Sequence, residues 1–262
     1  MSHWFMLSPE KLYRKGNNEE SIIPRENVIL QPENVAHIRA LRLSQGDGIV
    51  ITDGQGRAFK ACLGSVDRRG AKVRILCELK RQVEPPLDVI LFVGISKGEK
   101  TERIVRQSVE LGVRKIVPVL TGRTVVRIAT EEKGKRRTRR WQNIAISAAL
   151  QCRRSVVPEV LLPLSFEEAL GLMRESELVI VPWEEEKKRG FGTLAENIKN
   201  PSSVSIFTGP EGGISLREME KLREIPGLFE ITLGPRILRA ETAPLAVLSV
   251  VMFLWGDLSG KG

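Results

Sequence analysis

Histidine is nearly absent from this chain, occurring only at His3 and His37; cysteine occurs at Cys62, Cys77 and Cys152, and tyrosine once. That scarcity excludes several chemistries. Two distant histidines and no Cys-x-x-Cys pair leave a zinc site without ligands, so no metal is expected. They also leave a Ser-His-Asp triad almost no choice of base. Three widely spaced cysteines build no disulfide framework and read as reduced thiols, which points to a cytoplasmic protein. The uncharged run from Thr242 to Trp255 has fourteen residues, short of the roughly 20 needed to cross a bilayer. It is expected to be a core or dimer-interface helix, with no membrane partner. The N-terminal "MSHWFMLSPEKLYRK" has no sustained apolar core after a basic start, so no secretion signal is expected.

What is present is the balance of a globular protein, 42% hydrophobic and 28% charged, in 262 residues, enough for one large or two modest domains. The net charge of +9 favours a polyanionic partner, because neutralising phosphates releases counterions.

The segment "QVEPPLD", Gln82 to Asp88, separates two styles of sequence. Residues 1–82 hold short alternating runs, "GIVITD", "RAFKACLGSV" and "AKVRILCEL", between the turns "SQGDG", "DGQG" and "DRRG". That is the pattern of a small antiparallel barrel or sheet. Residues 83–262 change to strand, helix, strand: "DVILFVGIS" is a continuous apolar strand, "KTERIVRQSVELG" places Ile104, Val105, Ser108 and Val109 on one face, and "KIVPVL" follows. Such a unit argues for a parallel sheet in an α/β domain. A helix is expected over Arg139–Leu150, then "LVIVP", a helical "TLAENIK", "VSIFTG", a helix "LREMEKL", "FEITLG" and the apolar helix. In an open α/β sheet, ligands sit outside the carboxyl ends of the strands.

Two glycine-proline loops fall at such ends, "FTGPEGGIS" (Phe207–Ser215) and "LGPRILRAET" (Leu233–Thr242). Ser215 and Glu218 form a capping box that pins the first loop to a helix start. The loop reads in three ways: a phosphate cradle, though without the Lys-Ser/Thr pair of a triphosphate loop; a tight turn with glycine for sterics alone; or, beside the second loop, one wall of a slot for an adenine and ribose. The run "KGKRRTRR", Lys133 to Arg140, and the "QCRRS" that carries Arg153 and Arg154 are either a solvated face or a phosphate-contacting surface.

Both loops, together with "KGEKTERIVRQSVELGVRKIVPVLTGRTVVR", "RRWQNIAISAALQCRRSVVPEV" and "HIRALRLSQGDGIVITDGQGRAFKACL", closely resemble the RsmE family of 16S ribosomal RNA uridine-N3 methyltransferases. The resemblance covers most of the chain. It implies a PUA-like, RNA-binding β-barrel over residues 1–82 and, over residues 83–262, a SPOUT-class methyltransferase domain whose parallel sheet carries a trefoil knot. The knot rests on the resemblance alone. Also implied are a homodimer with the site at the subunit boundary, S-adenosylmethionine as cofactor, and 16S RNA of the small subunit as partner. The cofactor slot would involve Thr208, Gly209, Glu211, Gly212, Gly213, Leu233, Gly234, Pro235, Ile237, Leu238 and Ala243. Glu211 could also bond the ribose hydroxyls. The chain departs from the family pattern at Ala240, where Thr is usual, and at Arg153, where Gly is common.

Methylating uracil N3 requires loss of a weakly acidic proton and stabilisation of charge on the ring oxygens. With histidine so scarce, an arginine-rich environment that lowers the pKa of the bound uridine is the economical scheme. Arg236 and Arg239 are the candidate charges, and Glu241 the candidate orienter or base. At the start of a helix, Glu241 would equally serve the helix dipole. Candidate RNA contacts are His37, Arg39 and Arg42 in the first half, and Arg123, Lys135, Arg136, Arg137, Arg153 and Arg154 in the second. Competing readings are a SPOUT enzyme acting on a ribose hydroxyl or a guanine nitrogen, a non-catalytic RNA-binding assembly factor, and a phosphate-handling nucleotide enzyme.

Overall fold

The computed structural model describes residues 3–15, 22–80, 83–128 and 130–260. The boundary expected at Gln82 lies outside the described residues. The chain forms two compact units, Met1–Glu84 with Ala149–Val157, and Pro85–Ala148 with Pro158–Gly262.

The first unit runs β1 (His3–Met6), α1 (Pro9–Leu12), β2 (Tyr13–Lys15), β3 (Ile22–Pro24), β4 (Asn27–Leu30), α2 (Pro32–Ala40), β5 (Gly48–Thr52), β6 (Ala58–Asp67) and β7 (Gly70–Glu78). Five strands form one sheet in the order β1-β5-β6-β7-β4, and β2 and β3 pair separately. The β1–β5 pair is parallel and the remaining pairs are antiparallel. Alternation in the sequence decides which face is buried: Leu30, Ile49, Ile51, Phe59, Leu63 and Val73 share one core with Phe5. Tyr13, the lone tyrosine, donates its hydroxyl to Asp53 at 2.7 Å. Burial and that carboxylate push its pKa well above the usual value.

The segment Ala149–Val157 belongs to this first unit, although the sequence reading gave it to the second half. Gln55 bridges Val156, and the Gly56 N–H donates to the Ser155 carbonyl at 3.0 Å. Arg154, expected on an RNA surface, is 5% exposed and gives two bonds to Glu84, at 2.9 and 2.6 Å. It is corrected to a structural residue, since a buried, fork-paired guanidinium cannot reach phosphate. Arg153 is half-buried with φ at 66°. This left-handed conformation favours glycine, in keeping with the glycine that the resemblance leads one to expect there.

The second unit comprises β8 (Asp88–Gly94), α3 (Lys100–Glu110), β9 (Lys115–Leu120), most of α4 (Glu131–Cys152), β10 (Glu159–Val160), β11 (Leu164–Ser165), α5 (Phe166–Met173), β12 (Leu178–Pro182), α6 (Phe191–Asn197), β13 (Ser203–Thr208), α7 (Leu216–Leu222), β14 (Leu228–Ile231) and α8 (Ala243–Trp255). The sheet order is β10-β9-β8-β13-β12-β14, with β11 also on β9, and every pair is parallel. The expected parallel α/β sheet is therefore present. Helix α4 begins well before the expected Arg139. Glu131 and Glu132 occupy its first turn, where acid suits the dipole, and Glu131 pairs with Lys135 at 2.7 Å. The basic run is thus helical.

Strands β13, β12 and β14 are spatial neighbours, so the loops that follow them leave the same end of the sheet. At that end β8 meets the first loop closely: a Cβ on Gly94 would lie 2.4 Å from both the nitrogen and Cδ of Pro210. Only glycine fits there.

Three substitutions test these assignments. Gly94→Ala is expected to lower the unfolding free energy by about 1–3 kcal/mol, read from the urea midpoint. Arg154→Ala should cost about 2–4 kcal/mol by stranding Glu84 while leaving the salt dependence of RNA binding unchanged. Arg153→Gly should raise stability by roughly 0.5–1 kcal/mol, because it relieves a left-handed residue.

Candidate active site

The loop after β13 is held from several sides. Ser215 and Glu218 make both halves of the expected capping box: the Ser215 N–H donates to Glu218 Oε2 at 2.8 Å, and the Glu218 N–H to Ser215 Oγ at 3.3 Å. The other oxygen of Glu218 accepts the Gly122 N–H at 2.7 Å, which ties the loop after β9 to the same helix start. Arg123 from that loop donates to the Gly212 carbonyl at 2.7 Å. Glu211 accepts from the Lys97 N–H at 3.1 Å and from Lys100 Nζ at 3.0 Å. Desolvation pushes its carboxyl up, but hydrogen bonds from its own N–H, Lys100 and Lys97 outweigh this and hold the pKa below the usual range. "GPEGG" is therefore a rigid loop.

This loop, the loop after β14 and the loop after β12 enclose a cavity of about 480 Å³. Of the residues expected in the slot, Thr208, Gly209, Glu211, Gly213, Leu233, Gly234, Pro235, Ile237, Leu238 and Ala243 line it, and so does Arg236. Gly212 does not; a Cβ there would lie 3.0 Å from Cβ of Arg123, so it faces its brace. Arg239 and Glu241 are also absent from the lining. The Arg239 carbonyl accepts the N–H groups of Thr242 and Ala243 at 2.8 and 3.0 Å and so starts α8. Oxygen Oε2 of Glu241 is buried without a hydrogen-bond partner among the described residues, as is Thr208 Oγ1 in the cavity wall.

The sequence reading missed the third wall: Pro182, Trp183, Glu184 and Lys187 from the loop after β12, with Thr232 from the loop after β14. Pro210, Ile214 and Ala240 also line the cavity. The end of the "LVIVP" strand was a usable signal under the strand-end rule, but "WEEEKKRG" carries no glycine-proline signature.

The proposed RNA contacts are spread out. His37, Arg39 and Arg42 are exposed on and just after α2; the His37 ring meets Phe5 edge-on at 5.6 Å. Lys135 and Arg136 are exposed and Arg137 half-buried on α4. Arg123 is exposed but spends a donor on Gly212. Among the described residues no cluster of histidine, cysteine and acid could hold a metal, and no helix is long and apolar enough to cross a membrane.

The walls suit a ligand with a flat apolar part and several polar atoms. Ile214, Ile237, Leu238 and Trp183 offer apolar surface, while Glu184, Lys187, Glu211 and Arg236 add polar groups. A Neisseria gonorrhoeae ribosomal RNA small subunit methyltransferase E, solved with bound S-adenosylmethionine, is similar at TM-score 0.84 and 34% identity, over 98% of this chain and all of that one. A Legionella pneumophila protein solved with the same cofactor is similar at TM-score 0.85 and 30% identity, over 98% of this chain and 99% of that one. The ribosomal RNA small subunit methyltransferase E of Bacillus subtilis is 35% identical, over 84% of this chain and 88% of its own length. Residues 30–76 match the RNA methyltransferase PUA domain. Residues 83–252 match the RNA methyltransferase domain, and with these relatives the chain belongs to the ribosomal RNA small subunit methyltransferase E family.

Proposed function

We propose that this protein transfers a methyl group from S-adenosylmethionine to ribosomal RNA of the small subunit, at N3 of a uridine. The observation that carries the reading is the cavity itself, where the loops after β12, β13 and β14 meet. Relatives with this fold bind S-adenosylmethionine, which supplies an electrophilic methyl group on a positively charged sulfur.

The chain's own residues would contribute placement and charge. The loops after β13 and β14 hold the cofactor through backbone groups and Thr208, and their bracing means little reorganisation on binding. Arg236, on the cavity wall, stabilises the negative charge that develops on the uracil oxygens as the N3 proton leaves. Arg239 and Glu241 do not line the cavity in this single chain. We assign Arg239 to RNA or cofactor charge and Glu241 to orienting the reacting group or accepting its proton. Because N3 lies on the pairing edge, the uridine must be unpaired or flipped out.

Several finer features complete the proposal. The SPOUT trefoil knot is supported by the packing of α8 against α3 and β13. For the first unit, a PUA-like barrel that binds RNA is supported by its five-stranded sheet and the match over residues 30–76. A homodimer is supported by Ile237 and Phe253, which are 80% and 58% exposed: a second copy would cover these apolar groups and close the site. Exposed cations on α2 and α4 give the phosphate contacts. The setting is the cytoplasm, where small subunits are assembled.

The test is transfer of labelled methyl from S-adenosylmethionine to unmodified small subunits, naked 16S RNA and poly-uridine, followed by digestion to nucleosides. Label is expected in 3-methyluridine, with folded RNA preferred. Arg236→Ala should lower kcat/KM by roughly a hundredfold or more. Label in another nucleoside would overturn the target atom, and absence of label despite cofactor binding would overturn the substrate.

A further inference from the structure

The wall contributed by the loop after β12 depends on a charge that does not itself reach the cavity. Trp183 directly follows that strand, its N–H bonded to the Ile231 carbonyl at 3.0 Å, and it lines the cavity. The Arg223 guanidinium packs 5.0 Å from the centre of the indole. Arg223, which caps the end of α7, is fixed in turn by a two-pronged pair with Glu230: Nε to Oε1 at 2.8 Å and Nη2 to Oε2 at 3.0 Å. Glu230 lies on β14, is 5% exposed and is absent from the cavity lining.

The same carboxylate faces a second arginine. Arg189 Nη2 lies 3.8 Å from Glu230 Oε2, and its guanidinium sits 5.7 Å over Phe229. The Arg189 carbonyl accepts the N–H of Thr232, a cavity residue, at 2.7 Å. Between Trp183 and Arg189 the loop folds around Glu186, which accepts the N–H groups of Lys188 and Arg189 at 2.7 and 3.0 Å. Those bonds draw its carboxyl pKa down to about 2. One end of the loop that presents Glu184 and Lys187 to the cavity is thus tied to Glu230 through Arg223, whereas Arg189 at the other end has Glu186 as its nearer partner, at 3.0 Å from Nε and 2.9 Å from Nη2.

A buried carboxylate is costly unless paired, and a paired one gives less stability than an apolar residue of equal size. An arginine fork has the planar geometry to fix a neighbouring aromatic ring. We infer that Glu230 is a positioning residue, which acts through Arg223 to hold the Trp183 wall in the shape that receives the cofactor. The inference rests on the S-adenosylmethionine reading of the cavity.

The experiment measures S-adenosylmethionine affinity by calorimetry and steady-state kinetics for wild type, Glu230→Gln and Arg223→Lys. The lysine variant keeps the charge at a side chain that is 47% exposed and so is expected to fold. Both variants should weaken cofactor binding and raise its KM by roughly three- to tenfold, the effect of losing one pre-ordered wall, with kcat at saturating cofactor within about twofold of wild type. Trp183 emission, isolated by difference from Trp183→Leu, should shift in both. In a Trp183→Leu background, Glu230→Gln should add little further loss. Unchanged cofactor affinity with a lowered Tm would overturn the inference and leave Glu230 a stabilising residue only. Failure of the wild type to bind S-adenosylmethionine would instead overturn the cofactor reading, and this inference with it.

Discussion

The site depends on the Glu218 carboxylate, whose two oxygens serve two chain segments. One closes the capping box with Ser215, and the other accepts the Gly122 N–H from the loop after β9. A helix start leaves N–H groups that must find acceptors, and here the acceptor also fixes the exit of the "GPEGG" loop. Glu211 does the same at the loop's apex with Lys97 and Lys100. A loop held at both points keeps its backbone donors aimed without help from a ligand, which makes it a wall of a binding cavity.

The remaining charge is divided between bracing and display. Arg154, Arg223 and Arg123 are engaged by the protein itself, on Glu84, Glu230 and the Gly212 carbonyl. Arg39, Arg42 and Arg136 are exposed. The 41 lysines and arginines therefore overstate the cations on display, since an arginine paired with a carboxylate is already neutralised.

Much of the fold was legible because it is written in local patterns. Alternation marked the strands of the first unit, apolar runs those of the second, and Ser215 with Glu218 marked a helix start that the structure reproduces bond for bond. Helix α4 starts before the Arg139 expected from the apolar pattern, because acid in the first turn and the Glu131–Lys135 pair carry the helix through the basic run. The residues of two cavity walls were readable from glycine-proline signatures at strand ends. Those of the third wall were not, because "WEEEKKRG" reads as solvated charge, and nothing local reveals that Glu186 folds it back or that Arg223 lies on Trp183.

By itself the sequence determined the parallel α/β class of the second unit, the strand-rich class of the first, the two loops and the family. These follow from periodicity, turn chemistry and long ordered motifs, all of which are properties of neighbouring residues. Only the tertiary structure decided that β14 lies beside β12, so that three loops meet. It likewise decided that Arg154 is buried, and that Arg236 lines the cavity while Arg239 and Glu241 do not. The physical reason is the same for each: side-chain burial and direction are set by which distant strand packs alongside, and one-dimensional spacing does not contain that pairing.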